Sequence, residues 1–131
     1  MRRRQKGFTL LELIIVIIVI GILASIALPR FLRVTEKART AEAKSSLSTL
    51  RSAQLRYKAQ HGNYSSDINA TDAEITTPKY FVITAEDGTA GTIGQAVRDT
   101  DAEYGIGGGG YTIGIDEEGN LNISAGYEYL L

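Results

Sequence analysis

The chain has 131 residues, 44% hydrophobic and 22% charged, so it is about one domain long and too apolar to be disordered throughout. It contains no cysteine, which excludes a disulfide framework and a thiolate metal site. The net charge of −1 conceals an asymmetry: residues 1–7 carry four basic groups, residues 30–60 carry eight against two acids, and residues 61–131 carry two against twelve. This is a basic stem with an acidic head, and an acidic head repels a phosphate backbone, so no nucleic-acid binding is expected of it.

Arg2, Arg3, Arg4 and Lys6 precede an apolar run over residues 8–28. Twenty-one residues at about 1.5 Å each reach roughly 31 Å, the thickness of a hydrocarbon core. A lone segment in lipid must be helical to satisfy its own backbone, so this run is predicted to insert as a helix. It carries one carboxylate, Glu12, near its start. A charge at the bilayer centre costs about 2.5–3.5 kcal/mol, less in the first turns, and something must offset it.

Past Pro29 the pattern becomes amphipathic: Leu32, Ala43, Leu47, Leu50, Ala53 and Tyr57 share one side of a 3.6-residue wheel. A helix is predicted to about Gln60, capped by Gly62, with Pro29 kinking or loosening the junction between the two halves. The two halves together would extend roughly 80 Å, longer than the core of any small domain, so the first must be buried in lipid or in other subunits.

Residues 62–78 are rich in turn formers and read as a loop. "KYFVITA", residues 79–85, reads as a strand. "YTIGI" (111–115) and "LNIS" (121–124) alternate apolar with small or polar residues around "DEEGN", a hairpin signal. "GIGGGG" (105–110) reads as a flexible connection and "GYEYLL" as a further strand. Seventy residues make a thin head, so the sheet is expected to need the Leu47–Leu50–Tyr57 face as its second layer. The fold class is α+β: a long N-terminal helix on a small antiparallel sheet.

"KGFTLLEL", with its short basic leader and the apolar residues behind it, resembles the N-terminal segment of type IV prepilins and type II secretion pseudopilins. "IGILASIALPRF" and "AQLRYKAQHGNY" continue the resemblance to the end of the stalk. It implies a pilin-like fold and four parts: a leader at 1–7, a transmembrane and filament-core helix at 8–28, an amphipathic helix at 29–61 and a β-sheet head at 62–131. It implies that a prepilin peptidase cuts between Gly7 and Phe8 and methylates Phe8. Thr9, Glu12, Gly21 and Pro29 then become assembly residues, and the helix between Gly21 and Pro29 can unwind in the filament. Cleavage creates an ammonium at Phe8, four residues from Glu12 and on the same helix face. In the family the glutamate meets a neighbouring subunit's amino terminus. A buried carboxylate left unpaired disfavours every other register, which makes Glu12 an assembly register key.

The implied function is a structural subunit of a type IV pilus, polymerised through its N-terminal helix. The implied partners are copies of itself, the peptidase and methyltransferase, the inner-membrane assembly machinery and, before assembly, the bilayer. Arg30, Arg33, Lys37 and Arg39 balance the leader's charges, so orientation rests on the resemblance, which puts the head outside the bacterial cytoplasmic membrane and later in an extracellular or periplasmic filament. The alternatives are a major pseudopilin of a type II secretion system and, in another class, a membrane-tethered ligand-binding minor pilin or receptor. Retention of Glu12 favours a polymerising subunit.

Plainer readings compete at several points. A secretory signal peptide cleaved near Ser25–Ala27 fits the basic start, but the apolar run is too long, holds Glu12 and continues into a helix. Asp99, Asp101 and Glu103, followed by Gly105, mimic a calcium loop, but the glycine is one place late and Gly110 holds the closing position. A solvated acidic loop is the better reading, with no metal and no cofactor. His61 reads as a cap-region residue, and no catalytic constellation emerges, so an enzyme is not expected. Complementary charge between basic stems and acidic heads is expected to help neighbouring copies dock. Filaments should therefore loosen as salt shortens the Debye length, a change that sedimentation across a salt series would detect.

Overall fold

The computed structural model describes residues 7–99 and 110–131. The basic leader residues Arg2, Arg3, Arg4 and Lys6, the acids Asp101 and Glu103, and glycine-run residues 105–109 lie outside the described residues. Helix α1, Leu10–His61, is a single 52-residue element that continues through Pro29. The chain divides into two units, one ending at Val34 and the other Thr35–Leu131.

In the first unit every described residue is solvent-exposed, including the whole apolar run. Pro29 lacks the N–H that would bond the Ser25 carbonyl, so the ladder is short by one bond there.

In the second unit the rest of α1 is half-buried in the manner the wheel predicts. Ala43, Leu47, Leu50 and Ala53 are completely buried. Tyr57 departs from the expectation: it is only half-buried and stacks on His61, ring centroids 4.1 Å apart, one turn away. Gly62 ends the helix with φ 85° and an N–H bonded to the Lys58 carbonyl at 2.8 Å, a left-handed cap that favours glycine.

Four antiparallel strands follow in sequence order, β1 (Phe81–Ala85), β2 (Gly94–Arg98), β3 (Thr112–Ile115) and β4 (Leu121–Ile123). The β3–β4 hairpin has the predicted connection: Asp116 caps it by accepting from the Asn120 main chain, and Gly119 takes φ 95°. β2 was not expected, and "GYEYLL" forms a 3-10 turn, Glu128–Leu130, in place of a strand. The reason lies in Leu130, which is fully buried in the core, while Lys44 Nζ donates to the main-chain oxygens of Leu130 and Leu131 at 3.1 and 3.0 Å. A fifth strand would pull that side chain out. The connection before β1 holds a second 3-10 turn, Ile68–Ala70, capped by the Asp67 carboxylate.

One sheet face packs on α1. Phe81, Ala96, Ile113 and Ile115 meet Ala43 and Leu47 in the core. Close approach is set by Gly94, where an added Cβ would lie 2.7 Å from Leu50 Cδ2. Polar pins cross the same interface. Gln54, wholly buried, donates from Nε2 to the carbonyls of Ser65, Glu86 and Ile93 and accepts from the Ser65 N–H, fixing two loops to one residue.

The strongest pin is ionic. Glu36 is 2% exposed and Arg98 4%. Arg98 Nε donates to Glu36 Oε1 at 2.6 Å, the Tyr111 hydroxyl donates to the same oxygen at 2.8 Å, and Arg39 Nη1 reaches Oε2 at 3.1 Å. Burial pushes the Glu36 carboxyl up, but the hydrogen bonds from Arg98 and Tyr111, the Arg98 charge and the Arg39 bond outweigh it and hold the carboxyl below its usual range. The Tyr111 phenol is pushed above its ordinary range, chiefly by burial and then by the neighbouring carboxylate.

A carboxyl depressed in the fold contributes stability that is complete above its unfolded pKa, about 4.3, and is lost as pH falls through the lower folded value. Asp72, Asp116 and Glu117 are also depressed but exposed, and solvent screens them to little effect. Glu36→Gln should therefore flatten the acid limb of head stability, measured by urea unfolding at neutral pH and near pH 3. Glu36→Ala should cost about 3–5 kcal/mol at neutral pH by stranding Arg98. An unaltered acid limb in the Gln variant would show that other groups govern it.

Candidate assembly site

The residues singled out by the sequence gather at the start of α1. Gly7, Phe8 and Thr9 precede the helix in non-helical backbone, and Phe8 is 87% exposed. Thr9 is the cap. The Glu12 N–H donates to Thr9 Oγ1 at 3.2 Å, and the Thr9 N–H donates to Glu12 Oε2 at 3.5 Å. Together they form a capping box, in which hydroxyl and carboxylate reciprocally satisfy two N–H groups that a helix start leaves without partners. The carboxylate also lies at the positive end of the helix dipole.

This box answers part of the question posed by a carboxylate in an apolar helix. The bond to Glu12 is long for an N–H···O contact, and it engages one oxygen of two. It orients the charge without neutralising it. The Thr-x-x-Glu spacing that announces such a box was present in the sequence, where Glu12 was read as an insertion penalty and an assembly register key but not as a capping residue.

Gly21 and Pro29 lie within α1, both exposed and away from the box. An added Cβ at Gly21 would meet nothing within 4 Å, so no packing in this chain requires a glycine there. Between them, Ser25 Oγ donates to the Ile22 carbonyl at 2.7 Å.

In the head, Asp99 is half-buried at the end of β2, and the other two candidate calcium ligands lie outside the described residues. Among the described residues no group of three or more His, Asp or Glu side chains gathers as a metal would need. Glu117 is engaged by Lys58 Nζ at 2.7 Å, and His61 bonds the Tyr57 carbonyl. The buried Glu36–Arg98–Tyr111 group was missed. Its signals were Glu36, Thr40, Ala43 and Leu47 at i, i+4, i+7 and i+11, and Arg98 in step with Gly94 and Ala96.

Comparison with known proteins places these features. The family model described as the prokaryotic N-terminal methylation motif matches residues 2–28, which include Gly7, Phe8, Thr9 and Glu12. The chain is 42% identical over 66 residues to the type IV major pilin protein PilA of Myxococcus xanthus, covering 50% of this chain and 30% of that protein. It is 39% identical over 77 residues to the type II secretion system core protein G of Aeromonas hydrophila, covering 59% and 54%. It is 52% identical over 50 residues to the type IV narrow pilus major component PilA5 of Thermus thermophilus, covering 38% and 43%. In each case the chain spans about half or less of its relative's length. Through its N-terminal motif and the apolar helix behind it, the chain is similar over about its first half to type IV pilins and type II secretion pseudopilins.

Proposed function

We propose that this chain is the polymerising subunit of a type IV pilus, cleaved between Gly7 and Phe8, methylated on Phe8 and assembled through α1. The observation that carries the reading is the combination at the helix start: an apolar surface with no cover in its own chain, and a carboxylate held by a capping box but left with its charge. A subunit that enters lipid and then a filament needs both. The apolar helix moves from lipid to a core of like helices with little loss of hydrophobic free energy.

Cleavage after Gly7 would leave Thr9 and Glu12 in place and put a cation beside them. An amine from a neighbouring copy would be drawn to Glu12, and any register that leaves the acid unmatched in a low-dielectric core would be disfavoured by several kcal/mol. Thr9 acts as the positioning residue, because its hydroxyl and N–H aim the carboxylate. The ladder gap opposite Pro29 and the uncrowded Gly21 bracket the stretch proposed to loosen on assembly. The precursor partners are the bilayer, the prepilin peptidase and methyltransferase, and the assembly machinery of the inner membrane, with the head on the far side of that membrane.

The resemblance to a type II secretion core protein supports a second version of the same subunit, a periplasmic pseudopilus. Deleting the gene separates the two: surface filaments disappear in the first, and protein export fails in the second.

Mass spectrometry of the mature protein should find Phe8 as the first residue, carrying one methyl group. A mature chain that still begins at Met1 or is trimmed past Ala27 would rule the proposal out. Glu12→Ala should insert in the membrane as well as the parent chain yet yield severalfold fewer filaments; normal yield would remove the register role of Glu12.

A further inference from the structure

Beyond the apolar span, α1 carries basic–apolar pairs at helical spacing: Arg30–Phe31, Arg33–Val34 and, further along the sequence, Lys37–Ala38. Each kind recurs at i, i+3 and i+7, which writes a cationic stripe beside an apolar one. Phe31 is 67% exposed and Val34 69%. Both lie past the 21 residues that fill a hydrocarbon core.

The head offers a counterpart. A groove of about 430 Å³ runs between the connection that precedes β1 and β1 itself, and Ile68, Ala73, Ile75, Val82 and Ile83 supply its apolar lining. Its apolar surface continues onto the outer sheet face, where Val82 pairs across strands with Val97, the two 53% and 38% exposed. Asn69, Thr71 and Thr77 add polar lining, and acids adjoin the lining residues in sequence. Asp67 precedes Ile68, and Glu74 lies between Ala73 and Ile75; both are exposed. Asp72 is taken by Arg56 at 2.8 Å, whereas no described residue pairs with the Glu74 carboxylate.

We propose that residues 30–34 of one copy seat in this groove on the head of a second copy, Phe31 and Val34 entering it and Arg30 and Arg33 facing its acidic rim. This is the helix-in-groove mode, in which apolar anchors one turn apart fill the groove and flanking charges fix orientation. Two such anchors lie about 5–6 Å apart, and the groove falls within the range that holds small apolar ligands. Charge complementarity selects a second copy: residues 61–131 carry twelve acids against two bases, while the entering segment is basic. The inference rests on the polymerising reading above and names a contact within it.

The test uses the full chain in a filament-forming host. Arg33→Glu and Glu74→Arg should each cut filament yield severalfold, and the double variant should recover to within about twofold of the parent. Because the chain has no cysteine, Val34→Cys and Ala73→Cys subunits expressed together and treated with a mild oxidant such as copper–phenanthroline should form a disulfide dimer in filaments, and none when the subunits are dispersed in detergent before the oxidant is added. Filaments with neither the charge-swap recovery nor the cross-link would overturn this contact and leave the polymerising subunit standing. A photoreactive group at position 31 that labels phospholipid within assembled filaments would overturn it in favour of a lipid role. A parent chain that makes no filaments at all would instead overturn the polymerising reading.

Discussion

The constraint that governs this molecule is an apolar helical surface its own chain does not cover. Side chains from Leu10 through Leu28 stand exposed. At roughly 25 cal/mol per Å², leaving a Leu or Ile fully in water costs about 1.5–3 kcal/mol each, so a run this long cannot persist in water as a monomer. Its cover must come from outside the described residues, and the proposed passage from lipid to a core of identical helices would supply it. The capping box, the ladder gap at Pro29 and the basic stripe beyond it acquire meaning from that requirement.

The head solves the opposite problem. With a small core it supplements apolar contact with polar pins that cross between helix and sheet: Glu36 with Arg98 and Tyr111, Gln54 with two loops, Lys44 with the chain's last residues. Buried ion pairs add little net stability against an apolar substitute, because desolvation offsets the attraction. Their effect is on uniqueness. A sheet that slid one residue along the helix would strand a carboxylate and a guanidinium at once, a penalty that Ala43 and Leu47 alone would not impose. The side chains that consume the stem's positive charge also sort it: Arg39, Lys44, Arg51, Arg56 and Lys58 are engaged within the chain, and Arg30 and Lys37 have exposed side chains nearer the apolar span.

Much of this was legible in the sequence, and the reasons for success and failure are physical. The apolar run and the Leu47–Leu50 face have strong periodicity over many turns, and "DEEGN" carries its turn chemistry locally, so each could be read without knowing the rest. β2 could not. "GQAVR" has a glycine, a glutamine and an arginine in five residues; it is a strand because Gly94 admits Leu50 and Arg98 meets Glu36, sixty-two residues away. "GYEYLL" erred the other way: aromatic content suggested a strand, while burial of Leu130 and the grip of Lys44 decided for a 3-10 turn. Tyr57 matched the wheel yet stacks on His61, since a helix end offers a neighbour at i+4 before it offers a sheet. At the candidate site the chemistry of Glu12 was readable and its geometry was not.

That geometry bears on how a charge can serve two environments. Glu12 is kept near the helix start, where the dipole and the Thr9 N–H favour an anion. These are weak terms, each about 0.3–1 kcal/mol, and they are the same in every register a subunit can adopt. In the proposed assembly an amine delivered by another copy would be different: it would be available only where the helices align to present it, and it would act where water is excluded and charge attraction is strongest. The box therefore makes the acid tolerable without making it content, and it holds the carboxylate where an approaching cation would find it. Under the proposed function, a stronger intrachain partner would remove the reason to assemble in one register, and an acid with no capping box would be harder to insert.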